Sequence, residues 1–264
     1  MRKARHPNPF RLAAWLACIL VTFYIAVPLV MVVLQSFNPR LTPWPETFTL
    51  RWYQMRVGGL GQALMVSMLI SVPATLLAIL ISLPLGYAMT RYDFRGKEVV
   101  RQMVSLPIII PGVVLGLAYL QIINSTSLRH VSPLIPLIAV HCVIVIPYAA
   151  RAIIAGFERL DLALEEASAT LGARPTSTFF RVTVPMLVPS ILSGGIVGFA
   201  RSLNDFVITL FLVQPGVVPL SVQVYQTTQY GIPQLTSALG TVLLAFSFVF
   251  VTIAEYLLRA EVEL

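Results

Sequence analysis

Between Leu12 and Leu34 the chain runs for twenty-three residues without an Asp, Glu, Lys or Arg. As a helix, that length crosses roughly 30 Å of hydrocarbon. Inside hydrocarbon a backbone must satisfy its own N–H and C=O groups, and an α-helix does so within one segment. Further long apolar stretches follow at 61–89, 103–123, 134–155, 187–213 and 235–258. The expected fold is therefore all-α, a polytopic membrane protein of about six transmembrane helices in a single domain, residues 1–264. Only 11% of the residues are charged, less than half the share in an ordinary soluble domain, which excludes a water-soluble fold.

The net charge of +7 could point to nucleic acid. However, the basic residues are scattered beside the apolar stretches rather than gathered on one polar face, and they read as topology instead. Counted on alternate sides, thirteen Lys and Arg fall in the segments that include both ends and the loops after the second and fourth stretches. Four, Arg40, Arg51, Arg56 and Arg129, fall opposite. Short basic loops stay in the cytoplasm, so both termini are expected there. Arg2, Lys3, Arg5 and Arg11 precede the first stretch, which is too long for the apolar part of a signal peptide and is expected to remain as a span. From Gln35 to Leu60 the chain is rich in Pro, Trp and Tyr, which suits an interfacial loop outside. Pro107, Pro111, Gly112 and Gly116 predict a kink in the third span. Cys18 and Cys142 have no metal or redox spacing, and no cofactor or metal is expected.

One interval breaks the apolar pattern. Phe157 to Pro185 reads FERLDLALEEASATLGARPTSTFFRVTVP and must lie outside the bilayer. Leu160, Leu164, Ala167 and Leu171 recur at helical spacing as a narrow stripe, with Glu165, Glu166, Ser168 and Thr170 on other faces. Asp161 suits the N-cap, and Gly172 suits the left-handed residue that ends a helix. Pro175 suits the first position of a second short helix, which Pro185 is expected to stop. An apolar ridge left on a membrane surface wants a protein groove.

The order Glu166, Ala167, Ser168, then Gly172, then Val182, Val184 and Pro185 resembles the EAA motif of ABC importer permeases, with Ser168 in place of the second Ala. That resemblance implies the type I importer fold and a loop, 157–186, that docks on an ATPase. Leu164, Glu166, Ala167, Leu171, Gly172 and Pro185 would carry the coupling. It also implies two ATPase subunits, a second permease subunit and an extracytoplasmic solute-binding protein, in a bacterial inner membrane. In such a system the chain itself would not be an enzyme. The string Ser202, Leu203, Asn204, Asp205, Phe206, Val207, Ile208, Thr209 is similar to one in spermidine/putrescine-type permeases, with Asn204 replacing an Asp. Leu50 to Tyr53 and Arg91 to Lys97 echo the same branch.

Ionisable groups within spans are costly, so each one is a functional candidate. Arg201 and Asp205, four residues apart, can pair along one helix face. Alternatively Asp205, with Ser202, Asn204 and Thr209, lines a translocation pathway. His141 is expected to pack against a neighbouring backbone carbonyl, and Glu255 to reach the interface. No GxxxxGK[ST] phosphate loop occurs, nor HExxH or GxSxG, so any energy from ATP must come from a partner. The rival reading is an ATP-independent secondary transporter or channel that uses Asp205 and His141.

Overall fold

The computed structural model describes residues 9–40, 42–54, 59–229 and 231–262. Arg2, Lys3, Arg5 and Arg56 of the expected topology lie outside them, as do the side chains of Arg129, Glu255 and Arg259. Among the described residues the chain forms α1 (Pro9–Ser36), α2 (Arg51–Gln54), α3 (Leu60–Arg91), α4 (Lys97–Ile109), α5 (Gly112–Ser125) and α6 (Leu134–Arg159). There follow α7 (Leu162–Thr170), α8 (Pro175–Thr178), α9 (Val184–Leu203), α10 (Val207–Leu212), α11 (Leu220–Gln229) and α12 (Pro233–Val262). A 3-10 turn at Ser127–His130 and a π turn at Phe179–Thr183 complete the set. Among the described residues five helical segments are long and apolar enough to span a membrane, and the bent pair α4–α5, counted as one span, makes six. The expected count of about six stands.

Two of the expected spans are not straight rods. The stretch 103–123 is α4 and α5, which meet at 103°. Pro111 explains the break: its ring forces Ile110 into an extended conformation (φ −74°, ψ 133°) and it lacks the N–H that would continue the ladder. The stretch 187–213 is interrupted at Asn204–Phe206, between α9 and α10. At the other end α9 begins earlier than expected. Pro185 does not stop the helix started by Pro175; the π turn at Phe179–Thr183 just before it accommodates the missing N–H, and α8 and α9 join into one run of 29 residues. The uncharged interval Gln214–Pro233 contains α11.

The chain divides into two compact units, residues 1–57 with 224–242 and residues 58–223 with 243–264. In the first, the apolar residues of α1 are exposed along most of its length. Its end is tied down by Trp52 Nε1 donating to the Asn38 carbonyl (2.8 Å) and Tyr53 Oη donating to Ser36 Oγ (2.7 Å). In the second, α3, α6 and α9 pack together. Lipid tails are as apolar as Leu, so such packing rests on close contact rather than on escape from water. Gly194 and Gly198 supply it. A Cβ at Gly198 would come within 2.5 Å of Val145 Cγ1, and one at Gly194 within 2.9 Å of Ala152 Cβ. Below this crossing Ile153, Phe157, Leu160 and Leu187 form an apolar cluster that anchors the base of the polar interval.

Candidate functional site

The polar interval opens as its residues predict. Asp161 caps α7, its Oδ1 accepting from the Ala163 N–H at 3.0 Å. At the far end Gly172 has φ +82°, with Gly172 N–H donating to the Ala169 carbonyl (2.9 Å) and Ala173 N–H to the Ser168 carbonyl (3.1 Å). These two bonds make a Schellman close, which favours glycine because an L side chain there clashes with its own backbone. Pro175 takes the first position of α8, and Arg174 before it gives no side-chain cap.

None of the residues of α7 is buried. Leu164, Ala167 and Leu171 form the ridge, which is exposed along its length, with Leu171 at 88%. Leu160, expected in the same stripe, belongs elsewhere: it precedes α7 and is buried against Ile153, Phe157 and Leu187. Glu166 is exposed beside the ridge. Glu165 instead faces inward, where its Oε1 accepts from Arg91 Nη2 (3.0 Å) and from Thr183 Oγ1 (3.3 Å). Ser168 and Thr178 join their hydroxyls at 2.9 Å across the glycine turn. The inward role of Glu165 was missed because its partner lies 74 residues away in sequence.

A second constellation surrounds the break between α9 and α10. Arg201 Nη1 donates to Asp205 Oδ1 at 2.8 Å, the pairing their spacing allows, although Asp205 lies past the end of α9 rather than on one continuous helix face. Asp205 Oδ2 accepts from the Thr209 N–H (3.0 Å), and its carbonyl accepts from Ser221 Oγ (2.7 Å). His141 does not rest on a backbone carbonyl. Its Nδ1 lies 2.7 Å from Ser202 Oγ and its Nε2 3.0 Å from Thr209 Oγ1, while Ser202 Oγ donates to Ser71 Oγ at 3.0 Å. The Thr209 hydroxyl is also 2.9 Å from Asp205 Oδ2, so its one proton serves the ring or the carboxylate, not both at once. Ser202, Asp205, Thr209 and His141 are all buried, and Asn204 alone is exposed at the elbow. Charges and hydroxyls that would be expensive in a membrane interior thus satisfy one another and the backbone groups freed where the helix stops.

Among the described residues no three His, Cys, Asp or Glu side chains are grouped to hold a metal ion. The two constellations differ in what they can do. The first offers an apolar grip on a rigid turn, and the second fixes a bend inside the helical core.

Residues 63–262 match the family described as binding-protein-dependent transport system inner membrane component. The chain is 31% identical over 250 residues to the putrescine transport system permease protein PotI of Escherichia coli (strain K12), covering 90% of this chain and 88% of that protein. It is 25% identical over 244 residues to the spermidine/putrescine transport system permease protein PotC of the same strain, covering 91% of each. Among solved structures it is similar in fold to a chain of a bacterial alginate ABC transporter in complex with an alginate pentasaccharide-bound periplasmic protein. There the TM-score is 0.71 at 18% identity, over 95% of this chain and 94% of that one.

Proposed function

Because the chain belongs to the binding-protein-dependent transport system inner membrane component family, we propose that it is the membrane-spanning permease subunit of a polyamine-type ABC importer. One of two ATPase subunits would grip the ridge of Leu164, Ala167 and Leu171 from the cytoplasm, with Glu166 at its edge, Gly172 setting its turn and Pro185 at the foot of the span that moves. A second permease chain would complete the pathway, and an extracytoplasmic binding protein would deliver the cargo. Both termini and the 157–186 loop then lie inside.

The observation that carries this reading is the ridge itself: a capped helix with no buried residue, ending in a leucine left almost fully exposed. An exposed apolar patch on a rigid element marks a protein contact. The cargo class rests on the likeness to PotI and PotC over about nine-tenths of the chain. Asn204, exposed at the elbow, is the residue that meets the cargo, while Ser202, Asp205 and Thr209 hold the elbow in place.

The test is a cysteine at Ala167 in an otherwise cysteine-free chain, crosslinked in membranes that contain its ATPase. Capture of the ATPase, abolished by Leu171→Asp, is the expected result. Failure to capture it, or reporter fusions that place Ala167 outside the cell, would overturn the proposal. The rival, an ATP-independent carrier working through Asp205 and His141, has one observation in its favour, the shared proton of Thr209. It would be preferred if uptake persisted in vesicles lacking ATP but holding an ion gradient.

A further inference from the structure

We propose that Glu165 is the positioning residue that ties the docking helix to the transmembrane core, so that α7, the end of α3 and the foot of α9 move as one body. This rests on the docking reading above and adds the route by which force leaves α7. Among the described residues, side-chain hydrogen bonds hold α7 to the core at two points. Ser168 meets Thr178 only ten residues on, within the same interval. Glu165 reaches further: a single carboxylate oxygen accepts from Arg91, the last residue of α3, and from Thr183, the last residue of the π turn that leads into α9.

The setting makes that pair a joint rather than a surface decoration. The side chains of Arg91 and Glu165 are 12% and 18% exposed, so screening by water is weak. The Arg91 guanidinium carbon lies 5.8 Å from the Phe157 ring centre, over a fully buried residue in the last turn of α6, and Tyr87 packs edge-on against both Phe157 and Phe179. Arg91 Nε is buried without a hydrogen-bond partner. The carboxylate of Glu165 is therefore the main compensation for desolvating the guanidinium, and losing it leaves a largely buried cation unmatched. Three span ends converge on this point: α3 through Arg91, α6 through Phe157 and α9 through Thr183. The ridge faces outward from the same helix, so a push on Leu164 or Leu171 arrives at Glu165 within two turns.

Three variants test the proposal: Glu165→Gln, Arg91→Gln, and the exchange Arg91→Glu with Glu165→Arg. Spin labels at Asp93→Cys, just past α3, and Thr170→Cys, on α7, report the separation of the two ends by pulsed electron resonance with and without ATP. With Glu165 in place, one narrow distance is expected that ATP does not change. In Glu165→Gln and Arg91→Gln the distribution should broaden or shift on ATP addition, and putrescine taken up per ATP hydrolysed should fall at least about fivefold. The exchange should recover most of both. These readouts separate a joint from a merely stabilising contact, because instability lowers the amount of complex without changing transport per ATP. If the single variants keep one ATP-insensitive distance and full coupling, or if the exchange is no better than either while all variants still capture the ATPase, the proposal is wrong. If the unaltered chain captures no ATPase, the docking reading has failed instead; a label distance in the isolated chain that ignores Glu165→Gln would then still reject the joint.

Discussion

The ridge on α7 and the polar centre at the α9–α10 break are built from opposite materials in opposite places. On α7 leucines stand exposed while the acid beside them, Glu165, turns in. At the break an aspartate, a histidine and hydroxyls are buried, and their charges and dipoles close on one another. Each departs from the rule that apolar groups are hidden and polar groups exposed, and each departure has its own explanation. Exposed apolar surface is cheap for the isolated chain and valuable to a partner, so its loss should alter binding and leave stability alone. Buried polar groups are costly unless every one is paired, so their loss should alter stability first.

Three experiments press on that contrast. The largest effect is expected from Leu171→Asp. Uptake should drop at least about a hundredfold, the loss of roughly 2.7 kcal/mol of partner affinity, while membrane insertion and thermal unfolding of the detergent-solubilised chain stay near those of the parent. A fall in melting temperature as large as that of a core variant would blur the contrast. Next comes Asp205→Ala, which strands Arg201 and the Thr209 N–H. Unfolding should become easier by about 3 kcal/mol, and His141→Ala, which strips partners from Ser202 and Thr209, by about 2 kcal/mol. Full stability in both would mean the centre is not structural, and would raise the carrier reading. The smallest effect is expected from Asp161→Ala, which costs the cap of α7 about 1 kcal/mol. It should loosen ATPase capture slightly without touching the polar centre, as a protease-protection assay on the 157–186 loop would show.

Much of the first region was legible because its signals are local. A cap at Asp161, a ridge at helical spacing and a glycine followed by Pro175 all act within one or two turns, and the folded chain follows them. Pro185 misled because a proline inside a helix need not end it: the π turn at Phe179–Thr183 carries the helix past the missing N–H. Leu160 misled because periodicity says which residues share a stripe, not where the helix begins. The pairing of Arg201 with Asp205 could be read from a separation of four. The attachment of His141 to Ser202 and Thr209, more than sixty residues away, could not.

The sequence by itself determined that this chain lives among membrane helices, where its polar interval falls, and which end of α7 is capped and which turns on glycine. Those facts follow from hydrophobic length and from backbone conformations a residue accepts or refuses. Only the tertiary structure decided that Asp205, His141 and Thr209 share one buried network, that two spans are broken, and that Glu165 belongs to Arg91. Side-chain hydrogen bonds reach only about 3 Å, and which groups come that close depends on how α3, α6 and α9 cross, set by the small residues that let them touch.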